Sequence, residues 1–102
     1  MDIKELTKNM NTFVESKGWY AAESQRPQTP RNLSISLALE AAEIMEHFQW
    51  REDMKDKEGL ASELADVTLY LLQLASVTGI DLEQAVLKKL EVNASREWDS
   101  DN

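Results

Sequence analysis

Two tetrapeptides, EAAE at 40–43 and ELAD at 63–66, set pairs of carboxylates one helical turn apart on segments rich in apolar residues. Taking Glu40 as zero and about 100° per residue, Leu33, Leu37, Ala41, Ile44 and Phe48 form a stripe between about +20° and +100°. Glu40 borders that stripe, and Glu43 falls near about -60°, on the same side as His47 and Trp50. In the second segment Leu60, Val67, Leu71 and Leu74 make the stripe, Glu63 lies at its edge, and Asp66 and Tyr70 share the acidic side. On one helix alone such a pair is ordinary, because glutamate is a good helix former. Placed on antiparallel neighbours, Glu40, Glu43, Glu63 and Asp66 would converge beside leucine and isoleucine. Repulsion and lost hydration then drive their pKa values upward unless a cation removes the conflict. Oxygen-only ligation suits Mg²⁺, with Mn²⁺ as a substitute, and such ions commonly bridge carboxylates to substrate phosphates. The expected chemistry is attack of water on a phosphoryl group, with the same four acids as catalytic and metal-ligating residues. A di-iron bundle fits poorly, since it needs Glu-x-x-His pairs and the single histidine, His47, follows Ile44 at that spacing.

The elements that must carry these acids are legible in the periodicity. Ile3, Leu6, Met10, Phe13 and Val14 predict a first helix over 2–17, stopped by Gly18. The stretch 18–31 holds both prolines and reads as a loop. Asn32 or Ser34 is expected to cap a second helix reaching about Glu52, and REDMKDKEG links it to a third. Gly79 sits where a helix-terminating glycine belongs, and Asp81 with Gln84 resembles a capping box opening a fourth helix that runs through Trp98, followed by a frayed DSDN tail. No run alternates as a strand does. The expectation is a single all-α domain over 1–102, a four-helix antiparallel bundle.

Composition narrows the function classes. With 102 residues, the chain is near the size at which a second copy helps to bury apolar surface, so an oligomer is expected. A formal charge of -8 disfavours nucleic acid polymers and anionic membranes as partners. The absence of cysteine excludes disulfides, thiolate zinc and cysteine nucleophiles, and fits a reducing cytoplasm. No basic start leads into a signal-length apolar run, and no apolar segment is expected to approach the roughly 20 residues of a membrane span. An acidic protein can still take an acidic substrate if a cation and the cluster of Lys88, Lys89 and Arg96 face its phosphates. Trp19, in a loop, and Trp50, on the acidic side of its helix, lie off the apolar stripes, which lowers the weight of core packing for both. Tyr70 shares Asp66's side of its helix, where it is expected to support an acid or to pack between helices.

Taken together, FVESKGW (13–19), PRNLSISLALEAAEIMEHFQW (30–50), ELADVTLYLLQLA (63–75) and AVLKKLEVN (85–93) resemble the MazG-like nucleoside triphosphate pyrophosphohydrolase family, and within it the dCTP pyrophosphatase branch. The resemblance spans most of the chain. It implies an all-α tetramer that cleaves a nucleoside triphosphate, such as dCTP or a modified pyrimidine deoxynucleotide, to the monophosphate and pyrophosphate in nucleotide-pool house-cleaning. It implies Glu40, Glu43, Glu63 and Asp66 as metal ligands, Trp19 and Trp50 around the base, Tyr70 on the nucleotide, and Lys89, Asn93 and Arg96 near phosphate and sugar. Against that branch, the loop after Trp19 is longer, the link between the acidic helices is shorter, Met10 replaces a histidine, and REW replaces a basic residue with Tyr-Pro. The competing expectation is a non-catalytic acidic helical module that binds a nucleotide or docks a partner; a metal buffer is a third.

Overall fold

The computed structural model describes residues 1–96, and the helix extension through Glu97 and Trp98 and the tail 99–102 lie outside the described residues. Four helices follow in order: α1 (Ile3–Ser16), α2 (Pro30–Glu46), α3 (Lys57–Val77) and α4 (Leu82–Ser95). Among the described residues there is no strand, as the periodicity predicts. Each helix opens on a side-chain cap: Asp2 accepts from the Glu5 amide at 2.8 Å, Thr29 from Asn32 at 3.2 Å, Asp56 from Gly59 at 2.9 Å and Asp81 from Gln84 at 3.1 Å. Gly18 and Gly79 follow α1 and α3 with φ of 73° and 72°, the left-handed conformation that closes a helix without a Cβ clash.

α2 starts earlier than expected. Pro30 occupies its first turn, where a missing N–H is no loss, so Thr29 rather than Asn32 or Ser34 is the cap. It also stops earlier, at Glu46, and residues 47–50 turn away instead of continuing to Glu52.

α2 and α3 run antiparallel, as a ladder of neighbours demonstrates. Gln28, just before α2, bonds to Gln73. Glu43 lies against Glu63, and a Cβ built on Gly59 would sit 3.2 Å from the His47 ring. α1 covers another side of α3 through a core of Met10, Val14 and Leu72, ringed by Ile3, Trp19, Tyr20 and Leu82. A polar chain ties the same helices: Tyr20 donates to Asn11 Oδ1 at 2.5 Å, and Asn11 Nδ2 donates to Ser76 Oγ at 2.9 Å.

α4 packs against α1 and buries none of its residues. One chain therefore does not close a bundle. Its Cα radius of gyration is 16.7 Å, against about 13 Å for a compact domain of this length. Its accessible surface is 8183 Å², where a folded monomer of this mass exposes roughly 5,800 Å². Large apolar side chains contribute to that surface, with Leu39, Leu64, Leu87 and Leu90 each at least half exposed. The stripes expected to be core are correspondingly thin: Leu33 is buried, but Phe48 and Leu71 remain exposed. By contrast Leu72 and Ala75, on another side of α3, are buried.

α3 has 21 residues, and an 18-residue window within it has a mean hydropathy of 1.2, long and apolar enough by length and composition to cross a membrane, which corrects the expectation that no segment approaches that limit. Within this fold part of that apolarity meets α1 and α2 and part stays exposed, at Leu64, Leu69 and Leu71, and Glu63 and Asp66 interrupt it.

Candidate functional site

α2 delivers Glu40 and Glu43, and α3 delivers Glu63 and Asp66, to facing turns of the antiparallel pair. One carboxylate oxygen from each of Glu40, Glu43 and Glu63 lies within 4.8 Å of the others. Asp66 stands outside that trio, yet its charge reaches both Glu40 and Glu63. The Oε2 atoms of Glu40 and Glu63 are buried and meet no hydrogen-bond donor. Burial lifts the Glu40 carboxyl above its ordinary range, followed by the charges of Glu43 and Asp66 and a hydrogen bond with Glu43. Glu63 is pushed up to about 7, first by a hydrogen bond with Glu43, then by lost hydration and by the charges of Glu43, Glu40 and Asp66.

Buried carboxylate oxygens without donors are expensive, and like charges this close oppose ionisation. A hard divalent cation answers both problems. The donor set is all oxygen and preorganised on two helices, so the residues fit such an ion.

Beside the acids opens a cavity of about 790 Å³, walled by α1, the loop that follows it, the first turns of α2 and one face of α3. That volume suits a nucleotide-sized ligand. Trp19 and Tyr70 line it, and Asp66 lines it as well, connecting the cavity to the acid cage. Met10 contributes to the wall.

The other expected contacts are not brought there by this chain. Trp50 lies in the turn beyond α2 and is 89% exposed. Lys89 and Asn93 ride on α4, Arg96 directly follows it, and none of the three lines the cavity.

Three residues escaped the sequence reading. Gln73 is buried on α3 and donates to Gln28, which in turn donates to the Arg26 carbonyl, and all three line the cavity. A signal existed for Gln73, which stands two turns beyond Asp66 and so shares its face. For Arg26 and Gln28 the only pointer was the extra length of the loop after Trp19.

An all-helical chain with an oxygen-lined acid cage beside a nucleotide-sized cavity defines a narrow class. The sequence model of the MazG-like family matches residues 35–102, and the chain belongs to that family. It is 39% identical to dCTP pyrophosphatase 1 of Mus musculus over 88 residues, covering 76% of this chain and 52% of that protein. The Homo sapiens protein of the same name is 38% identical with the same coverage, so the chain spans about half the length of the curated relatives it matches. Among solved structures, a pyrophosphatase from Archaeoglobus fulgidus superposes with a TM-score of 0.75 at 35% identity, covering 88% of this chain and 86% of that one.

Proposed function

We propose that this protein is a metal-dependent nucleoside triphosphate pyrophosphohydrolase acting on dCTP or a modified pyrimidine deoxynucleotide, within nucleotide-pool house-cleaning. The observation that carries the reading is the pair of buried, donor-less oxygens of Glu40 and Glu63 inside a three-carboxylate cage that opens, past Asp66, onto a nucleotide-sized cavity. The similarity to proteins named dCTP pyrophosphatase 1 supports the choice of substrate.

Glu40, Glu43, Glu63 and Asp66 would hold Mg²⁺, or Mn²⁺ in its place. The ion supplies charge neutralisation on the phosphates and a lowered pKa for bound water. The chain's own residues do the rest. A carboxylate of the cage orients water toward the α-phosphorus and takes its proton. The new oxygen–phosphorus bond forms as the bridge to the β-phosphate breaks, and the electron pair leaves with pyrophosphate. No covalent enzyme intermediate is needed. Trp19 and Tyr70 hold the nucleoside in the cavity.

Trp50, Lys89, Asn93 and Arg96 would join the site from a second copy of the chain, in a tetramer. The apolar face of α4 and the surplus surface of the monomer support that assembly. The negative charge and the absence of cysteine support a cytoplasmic enzyme without nucleic acid polymer or membrane as partner. The test is pyrophosphate release from a panel of nucleoside triphosphates with and without Mg²⁺. Mg²⁺-dependent release that is fastest with dCTP is the expected result, and nucleotide binding without turnover would replace the enzyme with a binding module.

A further inference from the structure

The loop between α1 and α2 is fastened over the cavity by an amide relay. Gln73 is only 4% exposed, and its Nε2 donates to Gln28 Oε1 at 2.6 Å. Gln28 Nε2 donates at 2.6 Å to the carbonyl of Arg26. The Arg26 amide is held as well, donating to Ser24 Oγ at 3.0 Å, and Asn32 Nδ2 holds the neighbouring Pro27 carbonyl at 2.9 Å. A buried amide is costly unless its bonds are made, so Gln73 pins the loop rather than merely filling space. The relay holds the backbone of Arg26, a residue whose side chain lines the cavity. Among the described residues that line the cavity Arg26 is the one basic side chain, and its guanidinium carbon stands 6.0 Å from the centroid of the Trp19 ring. Trp19 is itself braced edge-on by Phe13 at 5.8 Å and 85°.

We infer that Arg26 is the base-reading residue of this cavity, positioned by the Gln28–Gln73 clamp, and that it selects a base edge carrying two adjacent hydrogen-bond acceptors, which among pyrimidines means cytosine. The inference rests on the reading of the cavity as a nucleotide site. Asp66 and Gln73 lie seven residues apart on α3, about 10 Å along the helix axis. With phosphates held at the Asp66 end, the base of one nucleotide reaches the Gln73 end, where Trp19 and Arg26 are. A guanidinium is a fork of donors with no acceptor, and stacking on an aromatic face leaves its edge available. Cytosine presents O2 and N3 side by side as acceptors. Uracil and thymine place an N3–H donor beside O2, which opposes the fork.

The test measures kcat/KM for dCTP, dTTP and dUTP with the wild type, Arg26→Lys, Arg26→Ala and Gln28→Ala, with circular dichroism confirming that each variant is folded. Both Arg26 variants should lower kcat/KM for dCTP by roughly 10- to 100-fold, mainly through KM, the discrimination a bidentate Arg–base pair supplies. The dCTP-to-dTTP ratio should collapse, with Gln28→Ala shifting it the same way by less. An equal loss on all three substrates would make Arg26 a phosphate contact and overturn the inference. So would retention of the preference by Arg26→Lys, or a wild type that favours dTTP. If the wild type hydrolyses none of them, the pyrophosphohydrolase reading fails separately. Calorimetric titration with dCMP and dTMP then decides for Arg26: cytosine preference lost in Arg26→Ala sustains it, and no preference in the wild type ends it.

Discussion

Glu63 concentrates the conflict at the heart of the proposed site, because it shares a hydrogen bond with Glu43 while its own Oε2 is buried without a donor. Glu63→Gln should therefore cut turnover by at least about a hundredfold, since an amide cannot stand in for a carboxylate ligand. It should also abolish any rise in Tm on adding Mg²⁺, with helicity intact by circular dichroism. The titration gives a second expectation. Without an ion the folded protein keeps the Glu63 proton up to about 7, whereas the ordinary value is 4.5. Between those values the folded state binds more protons than the unfolded chain, so this group's contribution to stability is lost as pH rises and is fully lost above about 7. Mg²⁺ must displace that proton, so its stabilising effect should be small near about pH 5.5 and large near about pH 8, as thermal melts would read. An effect independent of pH would remove Glu63 from the ligand set.

At the scale of elements, the spacing of Glu40, Glu43, Glu63 and Asp66 told which helix edges would meet, and the short link told that those helices would be neighbours. The antiparallel ladder from Gln28–Gln73 to His47–Gly59 agrees. The cap at Asp81 and the stops at Gly18 and Gly79 were legible for the same reason, that they are local chemistry within one turn. The start of α2 was misjudged because a proline reads as a breaker unless the residue before it caps. The clamp on the loop was illegible because it depends on a contact between Gln28 and Gln73, 45 residues apart in sequence. Asp56→Ala tests the local side of this argument. It removes the α3 cap and should lower stability by about 1 kcal/mol in denaturant unfolding, with a smaller loss indicating that water or the neighbouring turn replaces it.

The whole molecule is more open than its length requires, and while Met10, Val14 and Leu33 are buried, other apolar positions that periodicity assigned to a core are left bare. Phe48 and Leu71 sit on the stripes that periodicity picks out yet stay exposed, because a stripe does not say whether its cover comes from the same chain. Leu87 and Leu90, each at least half exposed on α4, offer the handle. Light scattering should report a tetramer for the wild type, and the double change Leu87→Glu with Leu90→Glu should yield smaller species. Trp50→Ala should raise the KM for dCTP several-fold in the assembled enzyme. An unchanged KM would leave Trp50 a surface residue.

The bare face of α4 lies on the same helix as Lys89 and Asn93, and Arg96 follows its last residue. If neighbours donate those side chains, dilution strips the pocket as well as separating the copies, and the specific rate per chain depends on how much protein is in the tube. Serial dilution of a stock into assay buffer would make catalytic output drop faster than protein content, and added excess of a Glu63→Gln chain, inert in its own cage but intact on α4, would restore it.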